Sequence, residues 1–455
     1  MRKLREHGLK NYKIRPAGPL KGRVKVPGDK SISHRALLLS SLAEGESRLT
    51  GVSRGADCLA TANALRAMGV QIEVAGEVTT VHGVGMRGLS LPAGPIDCGN
   101  SGTTMRLLAG LLSPQHFGLR LTGDASLSRR PMQRIVSPLR ARGAHIKGAT
   151  GEVEGEQYAP LGIAPLVASE SLLGLEYEMP VASAQVKSAL LLSGLYAKGP
   201  TALQEPVLSR DHTERMFMAL GVPLQTLGGM CVLDPEGWTP GWGGVDWRIP
   251  GDLSSAAFLM AAVQLVPGSS IVVEDVGVNP TRTGLLDLMR IMGARSGVIP
   301  KPDAAGMEPA ADLEFSHQVI RGGPVGGELL VRMIDEVPAL CALAAVCTKK
   351  IEIHDAEELR VKESDRLSAM ANVLSEFGVP CREKPDGLVV DGGRKVRAAR
   401  VHSQGDHRIA MAAAVLALRA EGESVIEDVD CVETSFPGFA ETLQSLGADI
   451  EECST

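Results

Sequence analysis

The sequence predicts an α/β fold of two similar globular domains, each with three units around buried helices, joined by two crossover segments. Three observations carry that prediction. A helix closed by glycine recurs six times, a second and nearly all-apolar helix recurs with it, and one Pro-Gly-Asp turn occurs twice. The Gly-terminated copies are Ala64 to Gly69, Pro138 to Gly143, Met216 to Gly221, Leu288 to Gly293, Val373 to Gly378 and Leu443 to Gly447. Each glycine is placed to end its helix in the left-handed conformation before a strand. Spacings of roughly 70 to 85 residues make each unit larger than a solenoid repeat.

The apolar helices begin near Lys30, Gly102, Ala184, Ser254, Val337 and Arg408. A helix apolar all round is buried, whereas the Gly-terminated partners keep a polar face. Between the two helices of each unit lies a β-rich segment: Arg48 to Val52, Leu119 to Gly123, Thr201 to Glu205, Ser270 to Asp275, Ile351 to Asp355 and Ser424 to Asp428. The turn Val26-Pro27-Gly28-Asp29 and its copy Ile249-Pro250-Gly251-Asp252 each precede a buried helix and read as chain crossings. Residues 29–248 then form an inserted domain, while 1–28 with 249–455 form a second domain carrying both chain ends. The sixth unit lacks the two strands expected after Gly447, and a strand around Gly22 to Val26 would supply one. Lys301 to Asp312 reads as a surface loop.

Composition narrows the function. At 455 residues and 44% hydrophobic, the chain can bury large cores. A net charge of −6 without a long basic block argues against nucleic acid and anionic membrane as partners. With only 3% aromatic residues, a base-stacking platform is also disfavoured. The eight cysteines form no CxxC pair and no metal-ligand spacing, which suits reduced thiols in a cytoplasmic protein. Met1 to Arg15 holds no apolar stretch of the secretory kind. The longest apolar runs, Ala256 to Val266 and Ile409 to Leu418, are too short to span a bilayer.

The starts of the buried helices gather unusual polar groups. In Gly28-Asp29-Lys30-Ser31-Ile32-Ser33-His34-Arg35, Asp29 reads as an N-cap, with Lys30, Ser31 and Arg35 near the positive end of the helix. Free N–H groups, a hydroxyl and two cations there describe a site for phosphate or carboxylate. On its own the stretch fits an ordinary capped helix equally well. Gly99-Asn100-Ser101-Gly102-Thr103 and Ser183-Ala184-Gln185-Val186-Lys187 open two further buried helices in similar fashion. Arg129-Arg130-Pro131 ends a turn that could equally be a solvated loop. Asp406-His407-Arg408 puts a cation in a first turn, where only a compensating anion makes it favourable. Asp335-Glu336 leads the fifth buried helix, where an ordinary acidic N-cap is the alternative to a functional pair. In Arg360 to Arg366, Lys362 and Arg366 are expected to share a helical face as a mildly repulsive pair. Gathered in one cleft between the domains, these groups would hold a small substrate bearing several negative charges.

These motifs, taken in order from about Gly22 to Gly447, make the chain similar to the 5-enolpyruvylshikimate-3-phosphate synthase family. The resemblance implies two domains of three βαβαββ units, transfer of enolpyruvyl from phosphoenolpyruvate to the 5-hydroxyl of shikimate 3-phosphate, and a place among the targets of glyphosate. It implies that Lys30, Ser31, Arg35, Ser183, Ala184, Gln185, Arg210, Asp335 and Lys362 contact shikimate 3-phosphate. Lys30, Gly102, Arg130, Gln185, Arg366 and Arg408 resemble the phosphoenolpyruvate contacts, and Asp335, Glu363 and Lys30 the proton carriers. No metal or organic cofactor is implied, and the expected partners are small anions acting on a cytoplasmic monomer.

Two local features depart from or refine that pattern. The family often has a lysine before the late Thr-Phe-Pro segment, whereas Thr434-Ser435-Phe436-Pro437 has none. Arg210-Asp211-His212-Thr213-Glu214 and Asn279-Pro280-Thr281-Arg282 resemble the family's second subclass, some of whose members tolerate glyphosate. Gly102 predicts ordinary inhibitor access. The sibling enzyme acting on UDP-N-acetylglucosamine normally carries Lys-Asn at the first site and a cysteine near Arg130, while this chain has Lys30-Ser31 and no cysteine between Cys98 and Cys231. A phosphate-binding regulator without catalysis is disfavoured by Asp335 and Glu363, and a kinase by the lack of a GxxxxGK loop.

Overall fold

The computed structural model describes residues 10–167, 169–302 and 308–454. Six helices are almost wholly buried: Lys30–Ser41, Gly102–Leu112, Ala184–Gly194, Leu253–Leu265, Val337–Ala344 and His407–Ala417. Every residue of the last three is buried. At about 1.5–3 kcal/mol for each large apolar side chain removed from water, packing rather than helix propensity holds these segments.

Their partners are Ala56–Ala67, Gln133–Ala141, His212–Ala219, Gly284–Ile291, Arg366–Glu376 and Phe439–Ser445. The glycines that follow, Gly69, Gly143, Gly221, Gly293, Gly378 and Gly447, all have φ between +72° and +102°. A side chain would be strained there, so the repeated glycine is what lets each helix stop and turn into a strand.

Six four-stranded sheets share one pattern. One edge strand runs parallel to its neighbour, and the other two pairings are antiparallel, as in Asp246–Arg248, Glu44–Thr50, Val78–Val84 and Gln71–Ala75. Contacts divide the chain into two compact units: one runs to Pro27 and resumes at Pro250, the other is Gly28–Ile249 with Glu308. Within the second, Gly102–Leu112 packs against both Lys30–Ser41 and Ala184–Gly194. A Cβ at Gly110 would lie 2.2 Å from the Ala189 carbonyl oxygen, so glycine is what permits that helix contact. Within the first, the helices Leu253–Leu265, Val337–Ala344 and His407–Ala417 pack pairwise.

The strand before each crossing stays with the sheet it came from. Lys21–Lys25 precedes Lys30–Ser41 in the chain yet pairs in parallel with Ser270–Gly277. Asp246–Arg248 precedes Leu253–Leu265 yet pairs in parallel with Glu44–Thr50. This corrects the expected use of Gly22 to Val26, which serves the fourth unit and not the sixth. In the sixth, Lys10–Ile14 fills the gap, lying between Ser424–Glu427 and Ile450–Ser454. Only one strand after Gly447 is therefore missing, not two. Ile450–Ser454 escapes notice in the sequence because it is polar. Its register is matched by charge, with Lys10 2.7 Å from Glu452 and Arg15 3.1 Å from Asp449.

The expected loop at Lys301 to Asp312 is also shorter than foreseen. Residues 303–307 lie outside the described residues, but Ala310, Ala311 and Asp312 belong to the strand Ala310–Ser316, with Ala311 paired to Pro300. Their inward faces are apolar or bonded, and Asp312 accepts from Lys301 Nζ at 2.7 Å.

Candidate active site

In the unit Gly28–Ile249 the first set forms at Lys30–Ser41. Asp29 caps the helix by accepting from Ile32 N at 2.9 Å. A Cβ at Gly28 would lie 1.6 Å from the Gly51 carbonyl oxygen, so only glycine fits this turn. Lys30 opens the helix with its Nζ 3.0 Å from Asp57 Oδ2. Arg35 is buried and acts as a clamp: it donates to Ser31 O at 2.8 Å, Ser188 Oγ at 2.6 Å and Thr213 Oγ1 at 2.7 Å. Three helix starts are thereby tied together. Burial pushes the Arg35 pKa down to about 10, against the pull of Glu214 and Asp29 and with a further push from nearby Arg210. Arg210 therefore sits within electrostatic reach of this set, on the half-buried stretch after Ser209.

The second set surrounds the start of Gly102–Leu112. Ser101 caps it, accepting from Thr104 N at 3.1 Å. Gln185 Nε2 donates to Thr103 Oγ1 at 2.8 Å, and its Oε1 accepts from Arg106 Nη1 at 2.8 Å. Arg130 donates to Asn100 Oδ1 at 2.5 Å and Ser126 Oγ at 3.3 Å, while Arg129 is exposed. A Cβ on Gly102 would meet Arg106 Nη1 at 2.7 Å and Arg130 Nη1 at 3.3 Å. Glycine here leaves the guanidinium groups their places; any side chain would shift them. Gly102, Gln185 and Arg130 are thus brought together, with Ser183 and Ala184 at the start of the neighbouring helix.

Arg106 belongs to this set and was missed as a site residue. The sequence signal is a lone charged residue in the helix Gly102–Leu112, four residues after Gly102; the structure buries it to 4% exposure. A buried hydroxyl chain links the two sets, His34 Nδ1 to Thr61 Oγ1 at 2.7 Å, Thr61 to Thr104 Oγ1 at 2.7 Å, and Thr104 to Ser101 Oγ at 2.8 Å. Burial, with Lys30 and Arg35 nearby, holds the His34 pKa well below the ordinary range, so the imidazole is neutral.

Behind Gln185, Lys187 is fully buried between Glu205 at 2.7 Å and Glu214 at 2.6 Å. Burial alone would lower its pKa, but the two carboxylates outweigh that and raise it. Burial raises the Glu214 pKa despite Lys187. Ser209 donates from N and Oγ to Glu205, so this cluster fixes the stretch that carries Arg210.

In the other unit, Arg366 opens the helix Arg366–Glu376 with three carboxylates around one guanidinium. Nε lies 2.8 Å from Asp406 Oδ2, Nη2 2.6 Å from Glu363 Oε2 and Nη1 3.4 Å from Asp335 Oδ1. Burial alone would lower the Arg366 pKa, but Asp406 and Glu363 reverse the direction and raise it. Asp406 also caps His407–Ala417, accepting from Arg408 N at 2.9 Å. Arg408 Nη1 donates to the Asp335 carbonyl at 2.6 Å, and Nη2 lies 3.8 Å from its carboxylate. Asp335 supplies the anion that makes a first-turn cation favourable.

Asp335, Glu363, Arg366 and Arg408 therefore form one cluster. Lys362 does not share a helical face with Arg366, contrary to expectation. Asp365 is the N-cap, so Lys362 lies outside the helix, after the 3-10 turn Glu357–Val361, and pairs with Glu358 at 3.3 Å. The Thr434 hydroxyl donates to Cys431 O at 2.7 Å, within the 3-10 turn Asp430–Thr434. Among the described residues no group of three His, Cys, Asp or Glu is placed to hold a metal ion.

A sixfold α/β repeat whose helix starts crowd arginines, lysine and carboxylates defines an enzyme class that handles small, multiply charged anions. The family profile described as EPSP synthase (3-phosphoshikimate 1-carboxyvinyltransferase) matches residues 14–443. The 3-phosphoshikimate 1-carboxyvinyltransferase of Citrifermentans bemidjiense is 47% identical over 439 residues, covering 96% of this chain and 99% of that protein. The solved EPSP synthase of Acinetobacter baumannii superposes with a TM-score of 0.84 at 41% identity, covering 98% of this chain and all of that one. The enolpyruvyl transferase NikO of Streptomyces tendae shares the fold, with a TM-score of 0.75 at 18% identity over 98% of this chain and all of that one. The chain belongs to the EPSP synthase family.

Proposed function

We propose that the helix-start sets of both units serve a single reaction, the one that defines the family. The protein transfers the enolpyruvyl group of phosphoenolpyruvate to the 5-hydroxyl of shikimate 3-phosphate and releases phosphate. The hydroxyl oxygen bonds to C2 of phosphoenolpyruvate and loses its proton, while C3 gains one to become a methyl group. The tetrahedral intermediate then loses phosphate from C2 and a proton from C3, restoring the double bond. Asp335, Glu363 and Lys30 carry these protons. Ser31, Arg35, Ser183, Ala184, Gln185, Arg210 and Lys362 orient shikimate 3-phosphate. Gly102, Arg130, Gln185, Arg366 and Arg408 hold phosphoenolpyruvate and the charge on its departing phosphate.

The observation that supports this assignment most is the Arg366 cluster. Two candidate acid–base carboxylates share one buried guanidinium beside Arg408, a setting that holds both in fixed directions. The same reading makes the protein a cytoplasmic monomer. Eight free cysteines suit a reducing compartment, and a chain that carries both sets has no need of a second copy. No helix among the described residues is long and apolar enough to cross a membrane.

Phosphate release tests the reaction. Release is expected only with shikimate 3-phosphate and phosphoenolpyruvate together. Release with UDP-N-acetylglucosamine in place of shikimate 3-phosphate would transfer the assignment to the sibling enzyme.

A further inference from the structure

The 3-10 turn Ile334–Glu336 presents two adjacent carboxylates to different surroundings. Asp335 meets Arg366 and Arg408, whereas Glu336 is fully buried. Glu336 Oε1 accepts from Ser254 Oγ. Ser254 Oγ in turn accepts from Arg282 Nη2 at 2.7 Å, and that nitrogen lies 3.3 Å from Asp252 Oδ1 and 3.7 Å from Glu336 Oε1. Asp252 caps the helix Leu253–Leu265 through Ser254 N at 2.8 Å, and its own N–H donates to Pro27 O at 2.8 Å. Within one unit, the acidic turn is thus locked to the start of a buried helix.

A buried carboxylate is costly unless compensated, and an apolar side chain of similar size is often as stable in such a place. Glu336 is compensated on one side only: Oε1 meets Ser254 and Arg282, while Oε2 is buried with no hydrogen-bond partner among the described residues. It stands at the start of Val337–Ala344 and against the first turn of Leu253–Leu265, the positive ends of two helices, with Arg282 alongside. What the cluster adds over an apolar plug is direction. Successive side chains of a 3-10 turn project roughly 120° apart, so fixing Glu336 fixes the roll of the turn and the heading of Asp335.

We propose that Glu336, held by Ser254 and Arg282, is a positioning residue that aims the Asp335 carboxylate at the reacting atoms. This rests on the assignment of Asp335 as a proton carrier. Steady-state kinetics and melting curves of Glu336→Leu, Glu336→Gln, Ser254→Ala and Asp335→Asn test it. Misaiming a catalytic group by about 1 Å costs up to ~10²-fold, so Glu336→Leu is expected to lose ~10–100-fold in kcat with both KM values within ~3-fold. Glu336→Gln can still accept from Ser254 and should stay within ~5-fold of the parent kcat. Ser254→Ala should lower kcat alone and add nothing to Glu336→Leu.

A Glu336→Leu protein with a lower Tm but an unchanged kcat overturns the inference, as do losses that multiply in the double variant. Should Glu336→Leu fail to fold, an unchanged kcat in Ser254→Ala overturns it instead. Asp335→Asn separates the two levels: full activity there removes the role of Asp335 itself, whereas inactivity there with an unaffected Glu336→Leu removes only the positioning.

Discussion

Replacing Arg366 with methionine is expected to abolish measurable turnover and to lower stability by about 3–5 kcal/mol, the usual loss when one partner of a buried ion pair is removed. The guanidinium is 2% exposed at its side chain and is shared by Asp406, Glu363 and Asp335. Methionine fills similar space but leaves three carboxylates facing one another. Asp406 would then strain the cap of His407–Ala417, and Asp335 would lose one of its two cationic neighbours. Lysine is no rescue, because one ammonium cannot bridge three carboxylates as a planar fork does. Urea denaturation monitored with kcat checks this; a variant with the parental midpoint would show that the cluster is not held by Arg366.

Lys30→Met should separate activity from stability in the opposite sense. On the proposed role of Lys30 as proton carrier and phosphate-facing cation, its loss is expected to lower kcat/KM by ~10³-fold or more. The fold should lose less than with Arg366→Met, because a single carboxylate is left unpaired and Lys30 is the more exposed cation. Lys30 occupies the first helical position, where a cation opposes the helix dipole. Its partner Asp57 stands in the first turn of Ala56–Ala67, where a carboxylate is favoured without help. A Tm drop smaller than that of Arg366→Met, together with collapsed turnover, is the expected pair of results. A loss of Tm as large as that of Arg366→Met would make Lys30 a structural residue.

Much of this was legible in the sequence because it is written in local chemistry. Asp29, Ser101, Ser183, Asp252, Asp365 and Asp406 all cap helices, and five of them stand directly before buried ones. The six left-handed glycines follow from a steric rule that needs no tertiary information. What stayed hidden depends on pairings across the chain. Nothing near Arg366 announces that Asp406, forty positions on, will share its guanidinium. Ile450–Ser454 is apolar only at Ile450, and nothing local announces that it pairs with Lys10–Ile14, whose Lys10 meets Glu452. Lys362 was misjudged because one capping residue, Asp365, moved the helix start by four positions. The burial of Arg106 likewise depends on tertiary partners, Gln185 and the Pro131 carbonyl, that lie far along the chain.

The claim that both units serve one reaction is tested most directly by phosphoenolpyruvate binding, measured with shikimate 3-phosphate present, to Arg130→Ala and Arg408→Ala proteins. Arg130 belongs to the set around Gly102 and Arg408 to the cluster around Asp335. On the proposed assignment each substitution removes a charged contact to phosphoenolpyruvate, so each should weaken binding by ~10-fold or more, about 1.4 kcal/mol. If either folded variant binds phosphoenolpyruvate as tightly as the parent, that arginine does not hold it, and the assignment of one reaction to both sets is contradicted.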